Sequence, residues 1–234
     1  MKVLINACNW DVATLFGNYY TKKLTYEYAI QNNHDVFLLD GDEANKKNWE
    51  DILKSQNINF TTGCGHGNEY LFTGQNAEPL FSKYDNIQLM GGKYHAWLSC
   101  LCGKSGGILD EGVNEYKALA GQGYNRDFAF VVGGETPPDE IAEIFFICHY
   151  EFDKHFYVGN SWSVCHERQL AKYDEYLAKD LPPIVAQWLL WDKNGSVIYE
   201  LKEKPPAKKK IVLDGYLFSQ KIPIHLEGYI TEGE

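Results

Sequence analysis

Three shortages narrow the interpretation of this 234-residue sequence. No stretch approaches the roughly 20 consecutive apolar residues of a membrane span, so we expect no contact with a membrane. Basic residues are few, with 22 Lys and Arg against 32 Asp and Glu and a formal charge of −10. Because phosphate binding needs a basic surface, this balance disfavours nucleic acid as a partner. The N-terminal stretch also lacks the apolar core of a signal peptide, so we expect a cytoplasmic protein.

The composition that remains is typical of a globular protein. Hydrophobic residues make up 44% of the chain and aromatic residues 15%, far from the composition of a disordered chain. The length fits one main domain with a small appendage. The 6 cysteines are scattered in a chain too large to need disulfides, so we interpret them as thiols.

The pattern of apolar residues predicts an α/β fold with a mostly parallel central sheet flanked by helices. Buried strands are predicted at 2–8, 35–40, 58–67, 93–100 and 127–134. Helices are predicted from Asp11, as cap, towards Gln31, and at 49–53, 109–120, 136–152 and 162–177, the fourth with Thr136 as its cap. The segment after Gly67 favours a small extended excursion, and 185–201 favours a β-hairpin.

The chain is predicted to have three parts. Residues 1–201 form the main domain, and the polar, proline-containing stretch 202–210 has the composition of a linker. Residues 211–234 carry two β-like runs, at 211–218 and 222–230. Because two strands alone are barely stable, we expect this tail to pack on the domain or on a partner subunit.

Two of the predicted strands end in reactive side chains. His66-Gly67 follows one apolar segment, and Ser99-Cys100 ends the next. If these strands are parallel neighbours, their carboxyl ends lie side by side, where open α/β sheets place their sites. A thiol near an imidazole can carry out nucleophilic catalysis, because the base raises the fraction of attacking thiolate.

These motifs resemble those of the caspase-like cysteine peptidases, the group that includes caspases, gingipains, legumains, clostripains and separases. The resemblance rests on His66-Gly67, on Ser99-Cys100 with Gly103 three residues later, and on the order of elements through about residue 201. It implies a three-layer sandwich and an enzyme that hydrolyses proteins or peptides through a thioester, without a cofactor. By the same resemblance Cys100 is the nucleophile, His66 the general base, and the backbone N–H groups of Gly67 and Cys100 the oxyanion hole.

The resemblance leaves specificity open at P1, the substrate residue whose carbonyl is attacked. Relatives that cleave after arginine often carry an acid two residues before the nucleophile, where this chain has Leu98. Asp11 and Glu135 are the other substrate-binding candidates, and with the net charge they favour Arg or Lys slightly. If P1 is basic, 202–210 is also a candidate for self-cleavage.

Several alternatives stand beside the peptidase hypothesis. Cys102 is a rival nucleophile, and Cys64 could form an inhibitory disulfide or simply pack in its strand. Cys64, His66, Cys100 and Cys102 supply four soft ligands for zinc, although one residue between paired ligands is unfavourable spacing. Another alternative is a peptidase-like scaffold that only binds. In either case the C-terminal tail is a candidate surface for a homo-oligomer or a regulatory partner. Dinucleotide binding at 63–67 fails, because the third glycine of the G-x-G-x-x-G motif would fall at Asn68 and an extended segment follows in place of a phosphate-binding helix.

Overall fold

A computed structural model describes residues 1–202, 209–217 and 222–230. The chain divides into two compact units, Met1–Leu201 and Lys202–Glu234. The first unit contains a six-stranded sheet and a three-stranded sheet. Its strands are β1 (Lys2–Ala7), β2 (Asp35–Asp40), β3 (Phe60–Cys64), β4 (Gly67–Asn68), β5 (Leu71–Thr73), β6 (Pro79–Ser82), β7 (Tyr94–Leu98), β8 (Ala120–Tyr124) and β9 (Ser196–Glu200).

The six-stranded sheet has the order β2-β1-β3-β7-β8-β9. Its first five strands are parallel, and β9 pairs antiparallel with β8 at one edge. The prediction of a mostly parallel central sheet is therefore confirmed. Because β3 and β7 are direct neighbours, the two motif-bearing strand ends lie at the same edge of the sheet.

Helices cover both faces of this sheet. They are α1 (Val12–Tyr20), α2 (Glu27–Gln31), α3 (Lys46–Ser55), α4 (Ile108–Asn114), α5 (Glu140–Tyr157), α6 (Trp162–Leu177) and α7 (Pro183–Gly195), and a π-helical segment, Thr21–Tyr26, joins α1 to α2. One core packs α3 and α4 against one face, and a second packs α5 and α6 against the other. The arrangement is a helix–sheet–helix sandwich, as predicted at the level of fold class.

The fifth strand was predicted in the wrong place. β8 is Ala120–Tyr124, and residues 127–132 belong to no strand. The glycines of β8 let Leu109 pack directly against this strand. A Cβ at Gly123 would lie 2.7 Å from Leu109 Cδ1. The helix predicted to reach residue 120 instead ends at Asn114, and Lys117 adopts a positive φ of 63°.

Two further predictions near the C-terminal end of the first unit are wrong. The predicted hairpin at 185–201 is α7 followed by β9, because Pro183 begins a helix whose Val185 and Leu189 are buried against α6. The cap of α5 is Asp139, not Thr136: its Oδ1 accepts from the amides of Ile141 and Ala142. The helices predicted at 49–53 and 162–177 are confirmed.

The extended excursion after Gly67 is confirmed as a small antiparallel sheet, β4-β5-β6. Aromatic packing fixes it on the main sheet, since the ring of Phe72 stacks on that of Trp97 with centroids 4.7 Å apart. Phe81 stacks on the same indole at 5.4 Å. The excursion therefore holds Gly67 in a fixed position beside the end of β7.

The second unit consists of an antiparallel pair, β10 (Lys209–Leu217) and β11 (Ile222–Ile230), which corresponds to the two predicted β-like runs. Residues 203–208, most of the predicted linker, lie outside the described residues, so self-cleavage and tail packing stay predictions. Across the described ranges, no helix is long and apolar enough to cross a membrane.

Candidate active site

The register of the sheet brings the two motifs together. Cys64, the last residue of β3, pairs directly with Leu98, the last residue of β7. His66 and Cys100 each follow two residues later, so they leave the sheet side by side. Both side chains line one cavity. The sequence prediction that these residues lie near one another at the carboxyl edge therefore agrees with the structure.

The end of β3 depends on a glycine and a buried amide. Gly63 has a φ of +118°, and a Cβ there would lie 2.0 Å from the carbonyl oxygen of Asn6, so no other residue fits. The side chain of Asn6 donates from Nδ2 to the carbonyl oxygens of Cys64 at 2.6 Å and Thr73 at 3.0 Å. These two bonds join the strand end to the excursion and hold the backbone on both sides of His66.

His66 is oriented by a carboxylate. Its Nε2 lies 2.7 Å from Oδ2 of Asp11, while Oδ1 of Asp11 accepts from the Thr14 amide and caps α1. Burial alone would raise the pKa of Asp11, but hydrogen bonds from Thr14 and His66 outweigh burial and lower it. An ionised carboxylate can only accept, so Nε2 carries the hydrogen and Nδ1 of the neutral ring is the basic atom.

A left-handed residue separates the two neighbouring cysteines. Leu101 has a φ of +59°, and its amide donates to the carbonyl oxygen of Arg126 at 3.0 Å. On one side of this turn Cys100 is partly exposed in the cavity. On the other side Cys102 is completely buried and its thiol donates to the carbonyl oxygen of Leu71. Only Cys100 is placed to meet a substrate, which disfavours Cys102 as the nucleophile.

The thiol of Cys100 is protonated at rest. Its pKa is raised to about 11, chiefly by burial; a hydrogen bond with the Phe128 backbone opposes the rise, and the carboxyl groups of Asp127 and Asp192 add to it. The Sγ lies 3.9 Å from the carbonyl oxygen of Phe128. A thiol in this state reacts only when a base removes its proton, and His66 is the basic side chain among the residues that line the cavity with it.

The cavity beside Cys100 and His66 is small and mostly apolar. Its volume is about 70 Å³. Leu98 forms one wall, as part of the predicted substrate site, and Phe128 and Phe130 form another. Glu135 is exposed and does not line the cavity, and Asp11 reaches it only through His66.

Two backbone amides, one from each motif, are the predicted oxyanion-hole donors. Within residues 1–202, no oxygen accepts a hydrogen bond from the amide of Cys100. Gly67 lies opposite Phe72 in the β4–β5 pair. Because the Thr73 amide donates to the His66 carbonyl oxygen, Gly67 and Phe72 form a non-hydrogen-bonded pair. The Gly67 amide is thus directed away from β5. A Cβ at Gly67 would lie 2.2 Å from Ser99 Oγ, so glycine is required there.

The proposed zinc ligands do not assemble. Within residues 1–202, no three His, Cys, Asp or Glu side chains are positioned to hold a metal ion. Cys64 is buried beside Cys8, whose thiol donates to the Cys64 carbonyl at 3.4 Å, and a Cβ at Gly17 would lie 2.7 Å from Cys64 Sγ. Cys64 is thus a packing residue of its strand.

The contact between Asp11 and His66 was not predicted. The sequence identified Asp11 as a helix cap, which is confirmed, and as a substrate-binding candidate. The strand order could have indicated this contact. Because β1 and β3 are parallel neighbours, the residues that follow β1 lie near those that follow β3. Trp10 was missed for the same reason, and its ring packs edge-on against His66 at 5.4 Å.

No known protein family, curated protein or solved structure matches this chain.

Proposed function

We propose that this protein is a cysteine peptidase that uses Cys100 as nucleophile and His66 as general base. The observation that carries the proposal is the placement of both side chains on one cavity at adjacent strand ends, with Asp11 fixing the imidazole. A nucleophile, a base and a group that orients the base are the parts of an activated thiol site.

The first step is attack on a peptide carbonyl. The thiol proton moves to Nδ1 of His66 as Sγ bonds to the carbonyl carbon. The pKa of about 11 means that little thiolate exists beforehand, so proton transfer accompanies the attack. The imidazolium that forms is stabilised by the carboxylate of Asp11, 2.7 Å from Nε2.

The tetrahedral intermediate needs donors for its oxyanion. The amide of Cys100, which has no acceptor among residues 1–202, and the amide of Gly67 are the proposed pair. Loss of one such donor typically costs about 10²-fold or more in rate. The C–N bond then breaks as His66 returns the proton to the leaving amine, which leaves a thioester on Cys100. Water, deprotonated by His66, releases the acid and restores the thiol.

We also propose that the fold is caspase-like. A mostly parallel sheet between two helical layers, with the His-Gly and Ser-Cys motifs at adjacent carboxyl ends, supports this assignment. The five parallel strands and one antiparallel edge strand arise from residues 2–200, the region of the sequence resemblance.

Covalent labelling tests the proposal directly. A peptidyl acyloxymethyl ketone reacts by thiolate attack with loss of its carboxylate leaving group, so wild-type protein should gain the mass of one peptidyl ketone. Cys100→Ala should gain none. Peptide mapping should place the adduct on Cys100, and the wild type, but not the variant, should hydrolyse peptides with the matching P1 residue.

Cys102→Ala is the matched control, because this thiol lies two residues away and is buried. It should be labelled at the wild-type rate if it folds normally. Labelling that persists in Cys100→Ala would overturn the assignment of the nucleophile. A wild-type protein that no reagent modifies, and that cleaves no peptide, would favour the alternative of a scaffold that only binds.

A further inference from the structure

We infer that this site accepts a small, uncharged aliphatic P1 side chain. The inference rests on the proposed peptidase function and replaces the slight preference for Arg or Lys that the sequence favoured. It follows from the walls, the charges and the volume of the cavity beside Cys100.

Bond formation at Cys100 brings a P1 side chain close to this cavity. When Sγ of Cys100 bonds to the carbonyl carbon, the P1 Cα is attached to that same carbon. Its side chain is therefore within reach of the space that Cys100 and His66 share. That space is bounded by the apolar groups of Ala13, Leu98, Phe128 and Phe130. Apolar walls favour an apolar side chain because both surfaces leave water.

No carboxylate is available there for a cationic P1 residue. The residues that line the cavity include no Asp, Glu, Lys or Arg. Asp11 is nearby, but its Oδ1 accepts from Thr14 and its Oδ2 contacts His66. A charged side chain placed between these apolar walls would lose water without gaining a partner, which is unfavourable for either sign of charge.

The polar lining groups are also occupied. The hydroxyl of Thr14 bonds to Asp11, and Ser99 is buried with its Oγ 3.4 Å from Sγ of Cys102. A polar P1 side chain therefore finds few free partners, whereas an aliphatic one needs none. This favours Ala or Val over Asn, Gln or Ser of similar size.

The volume sets the size. A 150 Å³ apolar cavity holds benzene, so the 70 Å³ here accommodates roughly half as much, about three carbon atoms. The aromatic wall has little room to move, because Phe130 packs on Phe146 at 5.1 Å and Phe128 packs on Tyr124 at 4.9 Å. Alanine and valine fit this volume, and phenylalanine and arginine exceed it.

A panel of acyloxymethyl ketones that differ only at P1 tests the inference. The P1 residues are Ala, Val, Phe, Arg, Lys and Asp, and second-order rate constants for modification of Cys100 are read from intact mass. We expect Ala and Val to react at least about 10-fold faster than the other four. A charged or aromatic P1 that reacts as fast or faster overturns the inference while supporting the peptidase. If no reagent modifies Cys100, the proposed function itself fails.

Phe130→Ala locates the selectivity in this cavity. Phe130 is only partly buried, and its removal enlarges the space beside Cys100. The ratio of the Phe rate to the Ala rate should rise about 10-fold or more. Tyr84→Ala, which removes a side chain that is 78% exposed, is the control and should leave the ratio unchanged. An unchanged ratio in Phe130→Ala would show that P1 binds elsewhere.

Discussion

Asp11→Asn is expected to slow Cys100 modification and peptide hydrolysis by about 10²-fold or more, because the carboxylate fixes the orientation and tautomer of His66. Asparagine is as good a helix cap as aspartate, so α1 should stay capped while the imidazole loses its charged partner. His66→Gln removes the base itself and should cost about 10²- to 10⁴-fold. The measurement is kcat/KM for a peptide and the rate of labelling by an acyloxymethyl ketone.

A cap elsewhere in the fold provides the control. Asn45 caps α3 through the amide of Asn48, and α3 packs on the core that includes Trp49. Asn45→Ala should lower stability by about 1 kcal/mol and leave kcat/KM unchanged. If Asp11→Asn keeps the wild-type rate, the carboxylate does not act through His66. If it loses rate only in proportion to its stability, its role is structural.

The second large effect concerns stability and pH. Asp153 lies in α5 with no exposed surface, and its Oδ2 accepts from the hydroxyls of Thr25 at 2.8 Å and Thr62 at 2.6 Å. Burial raises its pKa from 3.8 to about 7, and the two hydroxyls oppose that rise. Within residues 1–202, Oδ1 has no hydrogen-bond partner. The ionised form is therefore poorly solvated in the folded state.

The direction of the pH dependence of stability follows from the protonation of Asp153 in the folded and unfolded states. Between pH 3.8 and about 7, the folded protein keeps a proton on Asp153 that the unfolded chain has lost, so stability falls as pH rises. The loss is about 1.4 kcal/mol for each pH unit, on the order of 4 kcal/mol across the interval. Asp153→Asn cannot ionise. Its free energy of unfolding should exceed that of the wild type by a margin that grows from near zero at pH 4 and levels off above about pH 7.

Urea denaturation of both proteins from pH 4.5 to 8.5 measures this margin. The difference between the two proteins is the useful quantity, because His95 and His149 act in the opposite direction. Burial lowers the pKa of each to about 3, so their contribution to stability is lost as pH falls. Asp180→Asn, at an exposed carboxylate, should show no such trend. A margin for Asp153→Asn that is constant with pH would contradict the prediction.

The central strands were predictable because each is a short run rich in apolar, aromatic or β-branched residues. Four strands of the sheet, β1, β2, β3 and β7, correspond to such runs, and their order places His66 and Cys100 together. β8 was missed because Ala-Gly-Gln-Gly-Tyr carries little apolar bulk, and its position depends on the packing of Leu109. The run at 127–132 looks like a strand, yet Phe128 and Phe130 face the aromatic cluster and the cavity.

The reactive pair of the site was predictable from the sequence, but the residues that orient the base and form the cavity walls were not. A strand end and a reactive residue can be read locally, which is why Cys100 and His66 were found. The second contact of Asp11 joins positions that are 55 residues apart, so it requires the register between strands. The apolar character of the cavity was unpredictable for the same reason. Phe128 and Phe130 are distant from Cys100 in sequence and line the cavity with it only in the folded chain.

The turn at Leu101 has a practical consequence for the chemistry of the intact protein. Of the 6 cysteines, all within the described residues, five are buried and Cys100 alone is partly exposed. The left-handed turn places neighbouring thiols in opposite environments, one in the cavity and one in the core. The folded chain therefore offers a single attachment point for thiol-directed probes, and no cysteine needs to be removed to place a spin label or fluorophore at the mouth of the cavity.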